Sequence, residues 1–280
     1  MYDRTAQKVV LITGCSSGIG AHCARRLMQD GWKVIASARK PDDIAALRQS
    51  GIEAFELDYT DTASIANFFA RAMEATGGRG DALYNNGAIS QVGAVEDLST
   101  DALRHQFEVN FFGYHELTRH VLPVMRSQGH GRIIHCSSIL GRVPVRWTGA
   151  YNASKYALEG LALTQRMELD GSGIHVSLIE PGPIESNIAA NAHEHFLANV
   201  NQDTSPYGTE YIKRISILKG DAKSKSRKDG PETVYKALRH ALTSKRPRAH
   251  YPVTTKAKLG ILAHRLLPPG LLYKLLIRSQ

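Results

Sequence analysis

The turn Gly14-Cys15-Ser16-Ser17-Gly18-Ile19-Gly20 constrains this chain more than any other stretch. Before it stands Lys8-Val9-Val10-Leu11-Ile12-Thr13, a β-branched and aliphatic run of the kind that forms a strand buried on both faces. After it, Ala21-His22-Cys23-Ala24-Arg25-Arg26-Leu27-Met28 reads as a helix. A glycine-rich turn from strand into helix presents bare backbone amides and a positive dipole end to an anion, above all a pyrophosphate. Gly14 permits the tight turn, Gly18 lets the backbone approach phosphate, and Gly20 lets the helix lie close to the strand. Ser16, Ser17 and Ile19 complete the same phosphate-facing set. A glycine triplet alone also fits a plain βα turn; here the flanks match a dinucleotide site on both sides.

The next strand-like run, Trp32-Lys33-Val34-Ile35-Ala36-Ser37, ends in Ala38-Arg39-Lys40-Pro41. An NAD-binding chain places a carboxylate there for the ribose 2′-hydroxyl. Arg39 and Lys40 suit a 2′-phosphate instead, which favours NADP(H) over NAD(H); the alternative is a solvated basic turn. Asp42 and Asp43 follow as N-terminal charges of a helix.

Further along, Tyr151 alone among eleven tyrosines has a lysine four residues later, Lys155. On a helix the two share a face, and a cation beside a phenol pulls its pKa down toward the range where a general acid or base works best. Such pairs also occur on ordinary helices, one side chain packed and the other solvated.

From Lys8 through Ser186 these residues resemble, in order, the short-chain dehydrogenase/reductase family. The family's T-G-x-x-x-G-x-G stands at Thr13 to Gly20, and its adenine-contacting acid stands at Asp58. Its N-N-A-G appears as Asn85-Asn86-Gly87-Ala88, the last two exchanged; Asn86 is expected to stabilise the central sheet and Gly87 to lie by the cofactor. The resemblance implies Asn110, Ser138, Tyr151 and Lys155 as the catalytic set. Ser138 would polarise a carbonyl, Tyr151 deliver the proton, Lys155 hold the nicotinamide ribose and tune Tyr151, and Asn110 hold a relay water. Ser137 is the rival serine, but strand alternation points it the other way. The family's P-G-x-x-x-T appears as Pro181-Gly182-Pro183-Ile184-Glu185-Ser186, so that Pro181, Gly182, Ile184 and Ser186 are expected at the nicotinamide. The branch most similar is the NADP-preferring hydroxysteroid and retinol dehydrogenase-like members and their bacterial relatives, which take lipophilic alcohols, aldehydes or ketones.

A length of 280 residues and 42% hydrophobic content fit one α/β domain over residues 1–280, a doubly wound parallel sheet of about seven strands. The segment of about 187–230 would cover the substrate, with Phe196, Leu197, Val200, Tyr207, Tyr211, Ile212, Ile215 and Leu218 as lining. Val143, Pro144, Val145 and Trp147 would add apolar surface at the mouth. Cys15, Cys23 and Cys136 lack metal spacing and suit reduced thiols of a cytoplasmic protein. His193 and His195 read as loop histidines with no third ligand, so no metal is expected. Met1 to Thr5 is too short a lead into the first strand for a signal peptide.

Charge is uneven. Residues 211–280 hold 17 Lys and Arg against 3 Asp and Glu, whereas the preceding 210 hold 18 against 23. Lys219 to Lys228, with Lys223, Lys225 and Arg227, reads as a mobile loop. No aromatic platform accompanies the charge, which disfavours nucleic acid. At about 256–280 leucines alternate with cations around Pro268-Pro269-Gly270, too interrupted to span a bilayer. Two short basic amphipathic helices are expected, lying on an anionic membrane surface or packed on the protein or a second subunit, near the substrate cleft in either case. By family analogy the helices around Asn110 to Arg126 and Tyr151 to Leu169 make a homodimer or homotetramer. The reading is thus an NADP(H)-dependent oxidoreductase acting on a lipophilic carbonyl or alcohol. Its alternatives are an NADP(H)-binding sensor without turnover and a membrane-surface protein whose tail is the main element.

Overall fold

The computed structural model describes residues 7–219 and 229–278. Met1 to Thr5 and the cations Lys223, Lys225, Arg227 and Lys228 lie outside the described residues, as does Gln280 at the end of the tail. Seven parallel strands form one sheet: β1 (Val9–Ile12), β2 (Lys33–Ala38), β3 (Glu53–Glu56), β4 (Ala82–Asn85), β5 (Gly131–Cys136), β6 (Ile174–Glu180) and β7 (His250–Pro252). Their order is β3-β2-β1-β4-β5-β6-β7. The chain therefore leaves β1 toward one edge and returns to its other side at β4, and a parallel sheet opens its ligand crevice at the carboxyl ends of strands where the order reverses in this way.

Strand alternation divides the core into two layers. Val10 and Ile12 of β1, with Val34, Ile134 and Ile179, face α1 (Gly18–Gln29), α2 (Pro41–Gln49) and α9 (Glu232–Thr243). Val9 and Leu11, with Ile35, Leu83, Ile133 and Val176, face α3 (Thr62–Thr76), α5 (Gly113–Gln128) and α6 (Gly149–Glu168). With helices on both faces the central strands are mostly apolar on both sides, which is why they read as hydrophobic runs, with Asn85, His135 and Ser177 as buried polar members. Between α4 (Thr100–Phe107) and α5 lies a five-residue π-helical turn, Glu108–Phe112, that carries Asn110. Such turns displace a residue from the regular helical register.

The segment after β6 forms α7 (Ile188–Asn199) and α8 (Gly208–Lys219). His193 and His195 thus stand on a helix, not a loop. The tail forms α10 (Thr255–Leu266) and α11 (Pro269–Arg278), broken at the proline pair as the sequence implies. No described helix is long and apolar enough to cross a membrane.

Candidate active site

At the carboxyl end of β1 the backbone is packed so closely that side chains are excluded. Gly14 adopts φ +66°, and a Cβ there would lie 2.4 Å from Gly87 Cα. At Gly20 a Cβ would meet the Gly14 carbonyl oxygen at 2.2 Å, so the third glycine does allow α1 to rest on the strand end. Thr13 Oγ1 accepts hydrogen bonds from the Asn86 and Gly87 amides at 2.8 and 3.1 Å. Asn86 Nδ2 donates to the Thr13 and Gly14 carbonyls, so this asparagine ties β1 to β4 as expected. Ser17, at the N-cap of α1, makes no side-chain capping bond. The first-turn amides of α1 are therefore open to an anion at the helix end.

These groups border a cavity of about 650 Å³ that runs along the carboxyl edge of the sheet. Its walls include Gly14, Ser16, Ser17, Gly18 and Ile19 on one side, Arg39 and Asp58 beyond them, and Asn86 and Gly87 between. Pro181, Gly182, Ile184 and Ser186 border it with Ser138, Tyr151 and Lys155. A cradle of close-packed glycines at an uncapped helix end, with a guanidinium further along, fits the pyrophosphate and adenosine of a dinucleotide. Lys40 is not in the wall; it is the N-cap of α2 and exposed. Gly20 also stands behind the wall, in its packing role.

Helix α6 carries Tyr151, Lys155 and Glu159 on one buried stripe, four residues apart. Lys155 Nζ donates to the Cys136 carbonyl at 2.7 Å and stands 5.0 and 5.7 Å from the ring centroids of Tyr114 and Tyr151. Burial pushes its pKa down to about 8. The Tyr151 phenol, by contrast, is pushed well up by burial and further by Cys136, with a Ser138 hydrogen bond opposing the rise. Burial, rather than the Lys155 cation, governs the Tyr151 phenol here. Ser138 lies beside Tyr151 and also caps the short helical turn Ile139–Gly141, its Oγ accepting from Leu140 N at 3.1 Å. Ser137 is directed toward Glu159, as alternation implies.

Asn110 lies in the π-helical turn between α4 and α5. Its Oδ1 accepts from Ile89 N at 3.0 Å, and its Nδ2 donates to Ile89 O at 2.9 Å, with Ser154 Oγ at 3.4 Å. Fully buried and outside the cavity wall, the side chain clamps the loop following β4 to α6. With both amide ends committed to Ile89 and Ser154, it positions the site from behind.

Of the apolar residues expected at the pocket, Val145 borders the cavity but Val143, Trp147, Phe196 and Tyr207 do not. Trp147 packs edge-on against Tyr207 and Tyr211, with centroids 4.8 and 5.8 Å apart, and Phe196 lies 5.0 Å from Tyr211. Aromatic edges thus satisfy one another in a separate cluster that holds α7 and α8 to the loop before α6. Leu197 and Ile212 are exposed. The helix wall facing the cavity comes instead from Asn187, Ile188, Asn191 and Ala192, which sequence reading missed because α7 was not foreseen.

Behind Ser137 lies a buried ionic group. Glu180, fully buried, accepts from Arg142 at 3.0 Å and pairs with His250 at 2.7 Å; Glu159 is 3.5 Å from His250 and 4.0 Å from Arg142. Burial, then the Glu180 charge, raises the Glu159 pKa to about 7. Among the described residues these two glutamates and His250 are the three ligand-type side chains close enough to meet at one ion, and Arg142 supplies a counter-charge in place.

A phenol, a serine hydroxyl and a buried ammonium at one end of a cavity, with a phosphate cradle at the other, can hold a dinucleotide and move a proton beside it. The family model for short chain dehydrogenases matches residues 8–196. Over 98% of the chain it is 37% identical to the oxidoreductase YbbO of Escherichia coli K12, covering 95% of that protein. The human 17-beta-hydroxysteroid dehydrogenase type 1 is 32% identical over 95% of this chain and 83% of its own length. The crystal structure of a short-chain dehydrogenase from Streptomyces avermitilis superposes with a TM-score of 0.79 at 29% identity, covering 94% of this chain and 93% of the other. The protein is an oxidoreductase of the short-chain dehydrogenase family, with bacterial and animal relatives.

Proposed function

We propose that the protein is an NADP(H)-dependent oxidoreductase that interconverts a lipophilic alcohol and its aldehyde or ketone. The observation that carries this reading is the convergence of Ser138, Tyr151 and Lys155 on the cavity that also contains the phosphate cradle. A nicotinamide dinucleotide bound there supplies or accepts the hydride. In reduction, Ser138 orients the carbonyl oxygen and Tyr151 gives it a proton; a phenol held high in pKa stays in its donor form at neutral pH. Lys155, fixed on the Cys136 carbonyl, holds the ribose and shares the proton path.

Two features support the finer assignment. The end of β2 contributes Ser37, Ala38 and Arg39 to the wall, with a cation and no carboxylate where the ribose is recognised. Toward the reacting end Val92, Leu140, Val145 and Ile188 put apolar surface into the wall, beside Asn187 and Asn191. The name of the 17-beta-hydroxysteroid relative points to substrates of that character.

NADPH oxidation followed with aliphatic aldehydes, retinal and steroid ketones tests the reading, with Tyr151→Phe as control. Turnover by the parent and its loss in the variant are expected; undiminished turnover in Tyr151→Phe overturns the mechanism. In parallel, Arg39→Ala is expected to weaken NADPH use far more than NADH use, and a preference of the unaltered protein for NADH overturns the cofactor assignment.

A further inference from the structure

The two C-terminal helices bury few of their apolar side chains. Leu259, Leu262 and Leu266 of α10 follow an i, i+3, i+7 spacing and are 60, 51 and 71% exposed. On α11, Leu271 and Leu275 are 48 and 47% exposed, and Tyr273 and Ile277 are 50 and 57%. Each helix is anchored by a minority of its residues, Ala257 and Ile261 in α10 and Leu272 in α11. Seven large apolar groups standing in solvent within 19 residues are far beyond the scattered leucines of an ordinary surface.

Charge identifies the occupant. Lys258 and Arg265 stand one helical turn on either side of Leu262, while Lys274 and Arg278 stand one turn after Leu271 and Leu275; all four are exposed. Between Val253 and Arg278 the chain contains no Asp or Glu. A second copy docked through this surface about a two-fold axis would bring the same cations together. An anionic lipid surface accepts both features at once, apolar side chains in the acyl boundary and ammonium and guanidinium groups among phosphates. With 12 and 10 residues, α10 and α11 are too short to span a bilayer, which takes about 20 residues, but long enough to lie along one.

We propose that α10 and α11 form a docking surface for anionic membranes. The surface adjoins the site: Gly260 of α10 faces Ile139 and Val143, and Ile139 is part of the cavity wall. Docking would place the mouth of the cavity beside the lipid phase, where apolar substrates concentrate. Membrane binding itself does not depend on the substrate reading.

Flotation of the full-length protein with vesicles of phosphatidylcholine alone, or with 30% phosphatidylglycerol, tests the proposal. Expected is binding at least tenfold tighter to the anionic vesicles, weakened by 0.5 M salt. Two double variants at exposed positions, Lys274→Glu/Arg278→Glu and Leu262→Ser/Leu266→Ser, are each expected to lose at least tenfold while keeping the circular dichroism and NADPH-linked turnover of the parent in detergent-free assays on a soluble substrate. The proposal is overturned if the protein fails to float with anionic vesicles. It is equally overturned if either folded variant binds as the parent does, or if sedimentation shows a dimer that Leu262→Ser/Leu266→Ser dissociates. Failure of turnover with intact flotation would count against the enzymatic reading alone.

Discussion

Lys155 Nζ donates a 2.7 Å hydrogen bond to the carbonyl oxygen of Cys136, the last residue of β5. One bond thus pins the middle of α6 to the end of the sheet at the site where chemistry is expected. Because the ammonium is buried, the folded chain releases its proton at about 8, whereas an unfolded lysine holds it to about 10.5.

Between those values the unfolded state binds more protons, so this residue's contribution to stability rises with pH. Urea unfolding of the parent and of Lys155→Met between pH 7.5 and 10 should show the parent gaining on the order of 2 kcal/mol relative to the variant. Parallel curves would show that the ammonium is better solvated than its burial indicates.

Tyr151→Phe should reduce turnover by about two to four orders of magnitude, with little change in melting temperature, since it removes a proton donor and leaves the ring in place. Ser138→Ala should lower turnover similarly but also cost about 1 kcal/mol, because Oγ caps the turn at Leu140 N. Ser138→Thr keeps the hydroxyl and should restore the stability. Steady-state kinetics beside thermal melts separate the two roles.

Two glycines should respond with opposite sign. In Gly20→Ala the new Cβ meets the Gly14 carbonyl, forcing α1 off the strand at a cost of about 1–3 kcal/mol and weakening dinucleotide binding. Gly160 is exposed in mid-α6, nothing lies within 4 Å of its would-be Cβ, and Gly160→Ala should stabilise by about 0.5–1 kcal/mol. Chemical denaturation and dinucleotide titration measure both effects.

Arg142→Met should be among the more damaging single changes outside the cavity. It withdraws the guanidinium from fully buried Glu180, and breaking such a pair costs about 3–5 kcal/mol. Adding Glu180→Gln should recover a good part of that loss. Strict additivity of the two changes, measured in a double-mutant cycle, would mean that the ion pair carries no coupling.

Much of the sheet was legible because burial on both faces favours apolar runs, as in Val9 to Ile12, where all four residues are apolar and buried. The glycine cradle was legible for a related reason, since close backbone approach leaves only one residue type. What escaped was set by distant contacts. The Asn110 amide bonds to Ile89, a partner 21 positions away across another element that no local spacing announces. Trp147, Phe196 and Tyr207 have the composition of a pocket lining, yet nothing in composition distinguishes rings that face a cavity from rings that face one another. The Glu159, Glu180, His250 and Arg142 group escaped altogether, its members scattered over four parts of the chain with no local spacing to announce them. Lys155 was found, but not the desolvation that its surroundings impose, because burial is a property of the fold.

The aromatic cluster before α6 gives this molecule an optical handle. Of its two tryptophans, Trp32 is buried just before β2, at the amino end of the sheet, while Trp147, in the loop before the active-site helix, packs on Tyr207 and on Tyr211 of α8. Intrinsic fluorescence therefore contains one emitter remote from the cavity and one seated on the elements that border it. With Trp32→Phe as background, the emission of Trp147 becomes a label-free recording of how those helices settle when ligand arrives.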